Sequence, residues 1–198
     1  MDHEIFIWKI NLLYDHNNIM CYSKNLSLLS FIFGITASLS LIKFGNEQSK
    51  KTNIAIGYFF MFVSIMQFIE YLIWSDVECL NGHNKFASII GPLFQNMQPI
   101  IFYLLVHYYI DSNNILPDNI LKIIIILYTS YVLIKFISYV NSKNMCTTIN
   151  DQGHLDWIWK HDFNYIIYHL MMLFVCINYM DNLYIMSVIE WWTQRPTT

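Results

Sequence analysis

The run Asn53–Trp74, NIAIGYFFMFVSIMQFIEYLIW, leaves this chain few ways to fold. A helix needs ~20 largely apolar residues to cross the hydrocarbon core of a bilayer, and this run supplies them. It also carries Gln67 and Glu70 near one end. At about 100° per residue, Ser64, Gln67, Glu70, Tyr71 and Trp74 fall on one stripe, away from Ile54 and Phe62. A carboxyl inside a span is costly, so it must face protein or water and calls for a partner. What Glu70 faces is the question the rest of the chain has to answer.

The remaining sequence also reads as membrane protein. Charged residues are 13% of the chain and hydrophobic ones 56%, where a soluble domain carries ~25% charged residues. Many aromatics sit at the ends of apolar runs, as in interfacial belts. A net charge of −3 gives no basic field for nucleic acid. The expected fold is all-α: a polytopic transmembrane helical bundle of about five full spans, with a short C-terminal helix or incomplete sixth span.

Residues 1–24 are too polar to insert fully. Ile5, Trp8 and Leu12 share a face, which predicts an interfacial segment. A single transmembrane domain is expected over residues 25–192, followed by a polar tail at 193–198. The first span runs from Asn25 to Phe44, where Ser30, Gly34 and Ser38 form a small-xxx-small face for close helix approach. Lys85 to Ile110 is the third span, with Pro92 and Pro99 on one face. Each proline frees the carbonyl four residues back, here Ser88 and Gln95. The fourth span, Ile120 to Val140, holds Lys135. The fifth, Phe163 to Met180, places Tyr165, His169, Met172, Cys176 and Tyr179 on one face. Leu183–Trp192 is too short to span.

Alternation of five spans puts the N-terminus, the Cys79 loop and the Cys146 loop on one side. The Lys/Arg count is balanced across the two sides. The cysteines suit an oxidising compartment, so that side is expected to be extracellular or lumenal. Cys79 and Cys146 are candidates for a disulfide. The alternative is a zinc site drawn from Cys79, His83, Cys146, His154 and His161, although no compact metal signature is present.

Helix rise gives depths along each span. Glu70 lies ~9 Å, Lys135 ~7.5 Å and His169 ~4.5 Å from mid-span toward the cysteine side, with Gln95 and Asn96 within ~5 Å. Gln67, Glu70, Gln95, Asn96, Gln98, Lys135 and His169 therefore form the candidate ligand or ion site, with the freed carbonyls of Ser88 and Gln95 as further ligands. A packing role competes: Lys135 can snorkel, and Gln and Asn often link membrane helices.

The combination MQFIEYLIW, Met66–Trp74, followed by QNMQP, Gln95–Pro99, resembles an uncharacterised family of small multi-pass membrane proteins encoded by giant DNA viruses. The resemblance implies a viral or host membrane and continuation through a further hydrophobic span. It carries no catalytic residue. Three functions follow from the sequence. One is a channel or transporter-like protein for a cation, proton or small polar solute. A second is a non-catalytic membrane scaffold or interaction protein. The third is an intramembrane metal-assisted enzyme. No catalytic or cofactor motif is found, and the expected partners are the lipid bilayer, a small cation or polar solute, and a second copy of the chain.

Overall fold

The computed structural model describes residues 23–110, 116–141, 145–150, 153–161 and 163–179. The expectations for the interfacial segment, for Leu183–Trp192 and for the polar tail lie outside them. The described chain is mostly helical: α1 Lys24–Phe44, α2 Lys50–Ser75, α3 His83–Tyr109, α4 Asp118–Val140 and α5 Tyr165–Tyr179. Between α4 and α5 lies a cap. It contains a two-stranded antiparallel ribbon, β1 Thr148–Ile149 and β2 Leu155–Asp156, and a 3-10 turn, Ile158–His161. The sequence reading contained no ribbon.

Helices α1 to α4 are long and apolar enough to cross a membrane. Their 21, 26, 27 and 23 residues exceed the ~20 that a hydrocarbon core requires. Helix α5 has 15 described residues, or ~22 Å at the helical rise. The surface is apolar outward: Phe33 is 74% exposed and Ile134 68%. In water such faces would drive aggregation, whereas lipid solvates them. Backbone donors and acceptors are satisfied within the helices, as a bilayer demands.

Lipid removes the hydrophobic drive between helices, so close approach of small residues matters more. The α1–α2 seam is built this way. A Cβ on Gly34 would overlap Ser64 Oγ, and one on Gly57 would run into Ile42. Ser38, the next small residue of the stripe, is buried. The opposite face of α2 packs on α3 through Phe59 against Phe102, ring centroids 4.8 Å apart, and Phe62 against Phe94 at 5.3 Å. One apolar core joins α3, α4 and α5 around Tyr103, Leu121, Ile125, Val132, Met171 and Val175. A second lies toward the cysteine side, where Trp159 and Phe163 settle on Ile69, Ile73 and Ala87.

Candidate functional site

The cysteine-side end of the bundle is fastened by a polar knot. Asp76 terminates α2, and its carboxylate gathers backbone N–H donors: Leu80 at 2.9 Å and Asn81 at 3.0 Å on Oδ1, Asn84 at 3.3 Å on Oδ2. These donors, Asn81 foremost, hold the Asp76 carboxyl below its ordinary value. The last of them belongs to the first turn of α3, where an anion also complements the helix dipole. Asn84 then reaches the cap. Its Nδ2 donates to Thr147 O at 2.8 Å, and its Oδ1 accepts from Thr147 N at 3.0 Å. Ser88 Oγ donates to Asn84 Oδ1 and lies 2.8 Å from Thr147 Oγ1. Asn84, Ser88 and Thr147 have no exposure at all, so each of these bonds stands in for water that cannot enter.

A disulfide joins Cys79 and Cys146 beside this knot, with Cα atoms 6.3 Å apart. Both cysteines therefore lie on one side of the bundle. The bridge also removes the two thiolates that the zinc alternative required. Among the described residues no three His, Cys, Asp or Glu side chains are grouped as metal ligands.

Helix α3 runs continuously through Pro92 and Pro99. The Ser88 carbonyl that Pro92 leaves without its helical donor accepts from Tyr139 Oη of α4 at 2.8 Å. It is a helix-to-helix tie, not the open cation ligand the sequence implied. Tyr128 Oη, also from α4, donates to Asn96 O at 3.0 Å. Two side chains of the expected polar layer are ties of the same kind, and a third bonds within its own helix. Gln95 Oε1 accepts from Trp159 Nε1 of the cap at 3.0 Å. Gln98 Oε1 accepts from Tyr168 Oη of α5. Asn96 Nδ2 turns back to Pro92 O at 2.8 Å.

Two members of the expected site do not join it. Lys135 is exposed, because the inward face of α4 is taken by Leu121, Ile125, Tyr128, Val132 and Tyr139. An ammonium on the flank of a helix reaches interfacial water at lower cost than it enters a core. His169 is exposed too, with Nδ1 2.7 Å from Tyr165 O in its own helix. Met171, Val175, Asn178 and Tyr179 are the buried residues of α5, so the inward face is turned by roughly a quarter of the helix from the one read from the sequence, sharing Tyr179 with it and leaving His169 outside.

Glu70 is buried at 7% exposure, yet its neighbour is not one of those groups. The polar side chain set against it is Ser27, in the first turns of α1. That neighbour comes from the first span, whereas the sequence grouped Glu70 with residues of the third, fourth and fifth. Ser27 Oγ and Glu70 Oε2 both lack a hydrogen bond of normal geometry, as do Gln67 Oε1 and Trp74 Nε1. Between α4 and α5, by contrast, a groove of about 530 Å³ is lined by apolar side chains such as Ile124, Leu170, Met171 and Phe174.

Asn84, Tyr139 and Thr147 escaped the sequence reading. Asn84 and Ser88 do share a helical stripe with Pro92, which was a usable signal. Nothing in sequence ties Thr147 to them beyond its place after Cys146. No protein-family model, curated protein or solved structure matches the chain.

Proposed function

We propose that this protein is a non-catalytic membrane scaffold or interaction protein: a multi-pass helical bundle that presents apolar faces to lipid or neighbouring membrane proteins. One observation carries the reading. The two α3 glutamines expected to line a path instead bond across elements, Gln95 to Trp159 and Gln98 to Tyr168. Polar groups engaged in this way give a bundle one fixed arrangement and are withdrawn as ligands for a translocated solute. The outward faces of α1 and α4, around Phe33 and Ile134, are the available contact surfaces. In this reading α5 completes a fifth crossing, and the disulfide-bearing side faces an oxidising compartment, where such a bridge persists. The resemblance carried by Met66–Trp74 and Gln95–Pro99 makes a viral or host membrane the setting.

A photo-crosslinking residue placed at position 33 or 134 tests it in the native membrane. Discrete protein adducts are expected from at least one position, whereas adducts to lipid alone at both would remove the scaffold reading. A second reading, transport of a proton, cation or small polar solute, is favoured by the orphaned Glu70 carboxyl. Ion flux into proteoliposomes that exceeds empty vesicles and disappears with Glu70→Gln would establish it.

A further inference from the structure

Four side-chain atoms near the cysteine-side end of α2 are buried and lack a hydrogen bond of normal geometry: Glu70 Oε2, Gln67 Oε1, Trp74 Nε1 and Ser27 Oγ. Positions 67, 70 and 74 are spaced by three and four residues, so their side chains lie one above another on one helix stripe. Ser27 meets Glu70 across the α1–α2 seam. Buried polar groups in folded proteins nearly always have partners, so four orphans in one place point to an occupant.

Their chemistry identifies it. Two are acceptors, a carboxyl oxygen and the glutamine carbonyl. Two are donors, the indole N–H and the serine hydroxyl. One water molecule, itself with two donors and two acceptor lone pairs, complements that set. We infer that Glu70, with Gln67 and Trp74 on its own stripe and Ser27 across the seam, is a proton-binding site. It exchanges with the cysteine-side solution through a bound water.

A proton fits better than a metal ion. The group facing this carboxyl from α1 is Ser27, and Lys24, which opens the same helix, holds its Nζ 5.5 Å over the ring of Tyr71, the residue after Glu70. Helix α1 begins at Lys24 and so directs its positive end to this level. With the Trp74 N–H, these groups repel a cation that must be coordinated at a distance. A proton needs no coordination shell: it is held covalently on a carboxyl oxygen. Around the same end of α2, Ala87, Trp159 and Phe163 carry no ionisable group, Tyr139 is on Ser88 O, and Asp76 is engaged by backbone N–H groups. Glu70 is therefore the group free to titrate. In the step itself the bound water passes one proton to a carboxylate oxygen and regains one from solution. No electron moves, and both forms keep partners. The ionised form accepts from Ser27 and Trp74 by way of the water, and the neutral form donates toward Gln67. The site holds whether the protein is a scaffold or a transporter.

Infrared difference spectroscopy of the full chain in lipid membranes, stepped through pH, reads this directly. The expected result is a protonated-carboxyl carbonyl band that titrates, shifts in heavy water and is absent in Glu70→Gln. The variants Trp74→Phe and Ser27→Ala keep the carboxyl and should move its midpoint about tenfold in proton concentration, because each removes a donor to the water that solvates the ionised form. They also keep the test open if Glu70→Gln fails to fold. Unchanged midpoints in both, a band that never titrates, or no difference between wild type and Glu70→Gln would overturn the inference. So would a midpoint that depends on sodium in place of choline, which would mark a metal-cation site.

Discussion

Replacing Tyr139 by Phe, alone and together with Pro92→Ala, probes how a proline-interrupted helix is kept intact inside the bundle. Pro92 has no N–H, so the Ser88 carbonyl loses its helical donor, and Tyr139 Oη supplies one at 2.8 Å from α4. Ser88 has no exposure and Tyr139 1%, so water cannot take over. In the wild-type background Tyr139→Phe orphans a buried acceptor, at a cost of about 1–3 kcal/mol. In a Pro92→Ala background the new N–H at 92 lies in a continuous helix and can donate to Ser88 O. Tyr139→Phe then removes one hydrogen bond of two, about 0.5–1.5 kcal/mol. The cavity left by the proline ring and the other contacts of Tyr139 cancel in the cycle, leaving a coupling of about 1 kcal/mol. Reversible denaturation of all four proteins in detergent micelles, followed by circular dichroism, measures it. An equal cost of Tyr139→Phe in both backgrounds would show that the hydroxyl does not replace the missing donor.

Three other outcomes follow from the geometry. Replacing Cys79 and Cys146 by serine opens a loop whose ends are 67 residues apart; chain entropy bounds the loss at about 4 kcal/mol, and helices held in the membrane reduce it. Denaturation with and without reductant measures this, and an unchanged midpoint would assign the cap entirely to Asn84 and Thr147. Gly91→Ala places a Cβ 2.7 Å from the Trp159 ring, so it should displace the indole, break its bond to Gln95 and cost about 1–3 kcal/mol; tryptophan emission that does not move would contradict this. Asp76 has a depressed folded-state pKa, so its contribution is present above its unfolded value and lost as pH falls through the folded one. Asp76→Asn should therefore flatten the acid limb of the stability profile, and an unchanged limb would exclude the linkage.

The spans were legible because bilayer thickness converts directly into apolar run length. The first was read as Asn25–Phe44 and folds as Lys24–Phe44, and the fourth as Ile120–Val140 and folds as Asp118–Val140. Sidedness was legible as well, since alternation alone brings Cys79 and Cys146 together. Azimuth was not. On a helix that is apolar almost all round, periodicity cannot choose between neighbouring faces, so Lys135 and His169 were read inward when Tyr128, Val132 and Tyr139 on α4 and Met171 and Val175 on α5 hold those seams. Depth agreement between Glu70 and Gln95 likewise says nothing about which neighbour each faces. Glu70 looks across to Ser27 because α1 packs on α2 through Gly34 and Gly57. Gln95 looks to the cap because Gly91, one turn earlier, leaves room for the Trp159 ring.

Whether the interior polar residues are ties or a path can be decided by thiol accessibility. Cysteine is placed singly at Asn96 or Gln98 in a chain whose Cys21 and Cys176 are serine, and a small membrane-impermeant thiosulfonate is added from each side of oriented proteoliposomes. Both positions are buried, at 4% and 7% exposure, so a tied bundle predicts no labelling at either. Cysteine at the exposed Asn81 should be modified from one side. Labelling at 96 or 98 at a rate near that of position 81 would mean that water reaches the layer and that the scaffold reading is wrong.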